Sequence, residues 1–297
     1  MTTAPEGLTW HLLGRDRAAI EVRTDWAGAG SGDGAQDGAD WAWGGATGRG
    51  VRVCVIDSGV DTEHPLVGPV NASYLVREAA GEDSGSEGSE GSEGRGGTAG
   101  WEVVRVSGGD SSGHGTACAS IIRGLAPQCD VDSVQVLGSG FRGSGDALIA
   151  GVRWAVERGY DVINMSLSTT RRQFAPVLHE LADQAYFGRT LLVASAHNMP
   201  VESYPWRFSS VISVGSHDED DPGLLLYNPS PPVEFFARGV RVPAAWPGGA
   251  TRRCTGNSFA TPHVAGLCAR IVGKHRGMTA FQVKQALFLA SANVRSH

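Results

Sequence analysis

Cysteine is scarce and odd in number: five in 297 residues, at Cys54, Cys118, Cys129, Cys254 and Cys268. An odd count scattered through apolar segments argues against a disulfide framework, and no two stand at metal-ligand spacing. They read as small buried hydrophobes in a reducing compartment, which points to the cytoplasm. Long apolar runs are also missing. No stretch reaches the roughly 18 residues of a membrane span. Met1 to Gly14 lacks the basic stretch and apolar core of a secretory leader. Basic excess is absent as well: 25 Lys and Arg against 31 Asp and Glu give a net charge of −6. That balance argues against a nucleic-acid binder held by phosphate contacts.

What is present suits a folded globular protein, with 41% hydrophobic and 19% charged residues. The length allows one large α/β domain with a full core. Residues 1–44 read as an N-terminal arm. Within it Leu8–Leu13 and Ile20–Val22 are short strand or docking segments, and Gly28–Gly38 is loose. Residues 45–297 form the domain. Strands are expected at 51–56, 131–137, 161–167, 190–196 and 211–215. Helices are expected at 114–124, 146–158, 174–187, 258–273 and 280–291. Asp146 is the expected N-cap of the second helix, and Thr279 with Gln282 fits a capping box before the last. Alternation of strand and helix implies a parallel sheet covered on both faces, with its site at the C-terminal strand ends. Residues 81–97, rich in Gly, Ser and Glu, have nothing to bury and are expected to be disordered. They are either a tolerated surface insertion or an acidic flap beside the substrate.

Three segments carry chemistry. Val51–Asp61 is an apolar β-run ending in Asp57 and a glycine turn. In His114–Ile122 a histidine opens a helix. In Gly256–Gly266 Ser258 stands among small residues at another helix start, where unpaired N–H groups favour a developing oxyanion. Pro262 is expected in that helix's first turn, where a missing N–H costs little. Taken alone, the serine segment reads equally well as a helix cap.

Together, in the order Asp, His, Ser, the three resemble the subtilisin-like serine proteases, or subtilases. The likeness runs from about Gly45 to Val294. It implies a three-layer α/β sandwich and peptide hydrolysis. It makes Ser258 the nucleophile, His114 the base and Asp57 its orienting partner. It makes Asn198, after the run Leu191–Ala196, an oxyanion donor. It places Ser166, Leu167 and Ser168 on a strand pairing with substrate backbone. Ser195, His197 and Ser203 then border the pocket for the residue preceding the scissile bond. No cofactor and no metal is implied in the site. A peptide or protein is the substrate, with no nucleic-acid or membrane partner.

The chain departs from the family pattern at His197 and Ser168, where glycine is usual, and at Asn257 and Phe259. Cys118, four residues after His114, resembles the proteinase K branch, whose members are sensitive to mercurials. It is equally a core packing residue. Between His114 and the strand ending at Leu137 the chain runs through Arg123–Pro127, with no room for the calcium loop of many secreted subtilases, and Asp218–Asp221 reads as an acidic surface turn. The resemblance implies a general endopeptidase. An alternative is a dedicated maturation protease or macrocyclase acting on one co-produced peptide, and a further one is a non-catalytic binding module on the same fold.

Overall fold

The computed structural model describes residues 20–22, 34–79 and 100–296. A nine-stranded sheet organises them. In chain order the strands are β1 (Arg52–Asp57), β2 (Ala72–Glu78), β3 (Trp101–Val106), β4 (Asp130–Gln135), β5 (Val162–Met165), β6 (Leu191–Ser195), β7 (Ile212–His217), β8 (Leu226–Tyr227) and β9 (Phe235–Arg238). Their spatial order is β8-β9-β7-β6-β5-β1-β4-β2-β3. The strands from β9 to β2 run parallel, and an antiparallel strand closes each edge.

Six α-helices among the described residues accompany the sheet: α1 (Gly34–Trp43), α2 (His114–Leu125), α3 (Gly145–Glu157), α4 (Ala175–Phe187), α5 (Asn257–Lys274) and α6 (Ala280–Leu289). Successive strand residues face opposite sides of the sheet. Val53 and Val55 of β1 therefore join a core with α2, α5 and α6, whereas Cys54 and Ile56 join one with α3 and α4. Both faces are covered, so the central strands are apolar without alternation. This is the three-layer α/β arrangement that the sequence implied.

Each of the ten strands and helices expected within residues 51–291 is present, with ends shifted by up to two residues. The antiparallel pair β2–β3 was not foreseen. It lies at a sheet edge, and its half-exposed residues make no continuous apolar run. Its last bond, Ala79 N–H to Gly100 carbonyl at 2.9 Å, flanks the acidic insert. Residues 81–97 themselves lie outside the described residues, as do Leu8–Leu13 and 28–33.

Three expectations need correction. Gly34–Gly38 is not loose but begins α1. Ala42 and Trp43 of that helix bury against α5 and α6, and tertiary packing overrides the poor helix propensity of glycine. The last part of the expected arm thus belongs to the packed body. Ile20–Val22 is a strand as anticipated, pairing in parallel with Val294–Ser296. The N-cap of α3 is Ser144 rather than Asp146. The Ser144 hydroxyl accepts the Ala147 N–H at 2.9 Å, and Asp146 instead favours the first turn through its charge. Pro262 is the sixth residue of α5, not in its first turn. The capping box of Thr279 and Gln282 is formed.

Candidate active site

Asp57 ends β1, His114 opens α2, and Ser258 is the second residue of α5. All three therefore meet at the C-terminal end of the parallel sheet. His114 Nδ1 lies 2.8 Å from Asp57 Oδ1 and 2.9 Å from Oδ2, and its Nε2 lies 3.0 Å from Ser258 Oγ. Asp57 is fully buried, and its Oδ1 also accepts the Ser58 N–H at 2.8 Å. Burial opposes a charge on His114. The neighbouring Asp57 carboxylate and Cys118 sulfur outweigh that cost, and the imidazole is held well above its ordinary value.

The approach of α2 to β1 is close because of one glycine. A Cβ on Gly115 would stand 2.0 Å from the Gly59 carbonyl oxygen and 3.1 Å from Asp57 Cβ. Asp110 then ties the two elements. Its Oδ1 accepts from Ser58 Oγ, Ser112 N and Gly113 N, and its Oδ2 from Thr116 N and Thr116 Oγ1, at 2.6–3.0 Å. Ser58 Oγ in turn accepts the Gly115 N–H. One carboxylate thus caps the helix that carries His114 and grips the residue after Asp57. The sequence reading missed Asp110. Its local signal is only that of an Asx turn, an aspartate accepting the N–H two residues on, because the N-cap position itself is Gly113.

Asn198 follows β6. Its Oδ1 accepts the Asn257 N–H at 2.8 Å, which fixes the amide and leaves Nδ2 toward Ser258. A Cβ on Gly256 would lie 3.3 Å from Asn198 Nδ2 and 3.4 Å from Ser258 Oγ, so both atoms border the same small space. Asn257 also donates from Nδ2 to the carbonyls of Ala196 and His197, each at 3.3 Å. The residue that departs from the family pattern thereby clamps the end of β6 to the start of α5.

A cleft of about 310 Å³ brings together His114, Ser166, Leu167, Ser168, Ser195, His197, Asn198 and Ser258. Two of the expected residues do not line it: Asp57, buried behind His114, and Ser203. Ser203 is fully buried behind the cleft and reaches it through its hydroxyl bond to Ser168 Oγ. His197 is half-buried at the rim, where its Nδ1 accepts the Met199 N–H. Sequence reasoning missed Phe141, Leu137 and Leu148, which line the cleft from the other side. Phe141 has a φ of 59° and stands edge-on to His114, with ring centroids 5.7 Å apart. Nothing in its local pattern marks a contact with the histidine, which depends on how the turn after β4 folds.

Cys118 lies beneath the site, with Sγ 3.9 Å from His114 Nδ1 and from Asp57 Oδ2. Asp57, His114 and Cys118 are the one group of three candidate metal ligands among the described residues, with ligand atoms within 4.8 Å of one another. A metal there would have to break the bond between Asp57 and His114. Burial also pushes the Cys118 thiol up, which disfavours the thiolate that a metal prefers. All five cysteines are buried and unpaired. In the acidic turn, Asp220 pairs with Arg238 at 2.8 Å.

A hydroxyl bonded to an imidazole, itself bonded to a buried carboxylate, beside a free amide donor, is the constellation of a serine hydrolase. The model of the subtilase family, Peptidase S8, matches residues 48–296. The chain is 29% identical to subtilisin DY of Bacillus licheniformis, over 84% of this chain and 86% of that protein. It is 32% identical to the subtilisin of Bacillus pumilus, over 82% and 84%. It is also 32% identical to subtilisin E of Bacillus subtilis (strain 168), over 82% of this chain but 61% of that protein's length. Among solved structures, a cold adapted subtilisin-like serine proteinase aligns with a TM-score of 0.61 and 26% identity, covering 81% and 82%. Sphericase aligns with a TM-score of 0.63 at 23% identity, covering 84% and 87%, and shows the shared fold. The chain belongs to the subtilase family. It is accordingly a serine endopeptidase, and its substrates are peptides or proteins.

Proposed function

We propose that the peptide bond is cleaved through an acyl-enzyme on Ser258. His114 Nε2 takes the hydroxyl proton as Ser258 Oγ attacks the carbonyl carbon. The carbonyl oxygen becomes an oxyanion held by the Ser258 N–H and Asn198 Nδ2. His114 gives its proton to the leaving amine, and the C–N bond breaks. Water then enters by the reverse path and releases the acid. Asp57 holds the imidazole in the tautomer with Nδ1 protonated and stabilises the imidazolium. The observation that carries this reading is the chain of contacts from Asp57 through His114 Nδ1 and Nε2 to Ser258 Oγ.

The test is labelling with a fluorophosphonate probe, wild type beside Ser258→Ala, followed by intact mass. The expected result is one adduct on wild type and none on the variant. Equal labelling of both proteins, or none on a folded wild type, defeats the assignment.

A second reading is favoured by one observation. The connection from Asn198 to Tyr204 is short beside that of secreted subtilisins, and Ser203 is hydrogen-bonded to Ser168 at the cleft wall. Such a cleft suits a processing protease for a restricted set of precursor peptides, hydrolysing the acyl-enzyme or passing it to an amine. Efficient cleavage of one peptide with poor cleavage of casein is the expected outcome. The five unpaired, buried cysteines support work in a reducing compartment such as the cytoplasm, which fractionation of the producing cells tests.

A further inference from the structure

The two donors proposed for the oxyanion come from segments far apart in the chain. The Ser258 N–H belongs to the first turn of α5, and Asn198 Nδ2 belongs to the loop after β6. Asn257 stands where the two segments meet. It opens α5, immediately precedes Ser258 and is fully buried.

The sheet stops holding the donor's loop just before Asn198. β6 pairs with β5 as far as Ala194 and with β7 as far as Ser195, and the Ala196 N–H makes a last bond to the Val214 carbonyl at 2.9 Å. Beyond that point the loop is tied across the site by Asn257. Its backbone N–H donates to Asn198 Oδ1 at 2.8 Å, and its Nδ2 donates to the Ala196 and His197 carbonyls, each at 3.3 Å. An asparagine carries one backbone and two side-chain N–H protons. All three donor bonds of Asn257 thus go to residues 196–198. On its own side Asn257 is fixed within α5, where its carbonyl accepts from Thr261 Oγ1 at 3.0 Å.

The placement of the two donors relative to each other therefore depends on this one residue. At a fully buried position no water takes over the bonds of a lost side chain. Without the amide the His197 carbonyl loses its bond and the loop carrying Asn198 relaxes. Oxyanion stabilisation needs its donors within a few tenths of an ångström, and a misplacement of about 1 Å can cost about 100-fold in rate. Histidine at 197, in place of the family's usual glycine, also removes backbone freedom from this loop. Two departures from the family pattern, Asn257 and His197, thus act on one segment.

We infer that Asn257 is a positioning residue for the reaction, whose side chain holds Asn198 Nδ2 in register with the Ser258 N–H. It acts through Asn198 and not on the substrate. This rests on the acyl-enzyme reading above.

The test is a double-mutant cycle of wild type, Asn257→Ala, Asn198→Ala and the double variant. Each is assayed for kcat and KM on a chromogenic peptide anilide that wild type cleaves, with denaturant unfolding to show that it is folded. Asn257→Ala is expected to lower kcat by about 10–100-fold with KM changed by less than about twofold. In the Asn198→Ala background the same substitution is expected to change kcat by less than about threefold, because the donor it positions is gone. Fully additive effects overturn the inference and leave Asn257 a structural residue. So does a folded Asn257→Ala with wild-type kcat, or one whose KM alone rises. Should Asn257→Ala not fold, Asn257→Ser, which keeps a donor on a shorter side chain, takes its place in the cycle under the same criteria. Full kcat in Asn198→Ala, or no fluorophosphonate adduct on wild type, removes the acyl-enzyme reading itself and the inference with it.

Discussion

The Cys118 sulfur lies 3.7 Å from the carbonyl oxygen of Ser258. In an unbroken helix that carbonyl would accept the N–H of residue 262, which is a proline and has none. Cys118 therefore offers its weak S–H donor to a carbonyl that the helix itself leaves open, that of Ser258.

Replacing Cys118 by Ala removes that donor and opens a small void in a fully buried position. The expected stability loss is about 1–3 kcal/mol, from the void and the unpaired carbonyl together. Denaturant unfolding checks it. A mercurial that reaches this thiol places a bulky group 3.9 Å from His114 Nδ1, so activity should fall with mercury incorporation. Stoichiometric labelling at Cys118 with full activity would contradict the packing described.

On the proposed mechanism, Asn198→Ala removes a side-chain donor from the oxyanion. A loss of about 10²–10³ in kcat is expected, the range found on removing one such donor in subtilisin. KM should change little, because the bond strengthens only as charge develops. An equal rise in KM with kcat preserved would assign Asn198 to substrate binding instead.

The pH profile follows from the environment of His114. As the proposed general base it must be neutral, so kcat/KM is expected to rise as its proton leaves. The Asp57 carboxylate holds the imidazole well above its ordinary value, which moves the rise above the unperturbed value of about 6.5. Stability runs the other way. A group whose folded value is raised stabilises the fold fully below its unfolded value and loses that contribution as pH climbs through the folded one. Asp57→Asn should shift the rate midpoint downward and lower kcat by about 10⁴. A wild-type midpoint at or below 6.5 would contradict the electrostatics.

Asp110→Asn keeps the size of the side chain but puts an NH₂ where the carboxylate accepts either Ser58 and the 112–113 amides or Thr116. Hydrogen bonds to a charged acceptor contribute about 1.5–3 kcal/mol each, so a fall in both stability and kcat is expected. A positioning role also predicts a shifted pH midpoint, because His114 would sit differently against Asp57. Lost stability with kcat and the pH midpoint unchanged would reduce Asp110 to a helix cap alone.

Much of the chemistry was legible in the residues themselves. The apolar β-run ending in Asp57, the histidine opening α2 and the small residues around Ser258 carry local signals in the right order. A parallel sheet brings strand ends and helix starts to one side by necessity. What the sequence could not decide depends on contacts between distant segments. The helix Gly34–Trp43 exists because Ala42 and Trp43 find a core surface, not because its glycines favour a helix. Pro262 is tolerated deep in α5 where the chain places Cys118 beside Ser258. The hydrogen bond from Ser203 to Ser168, residues 35 apart, and the grip of Asp110 on Ser58, 52 apart, are likewise set by folding. Periodicity and motif spacing report one element at a time. Pocket shape, helix anchoring and the tuning of His114 belong to the way the elements meet.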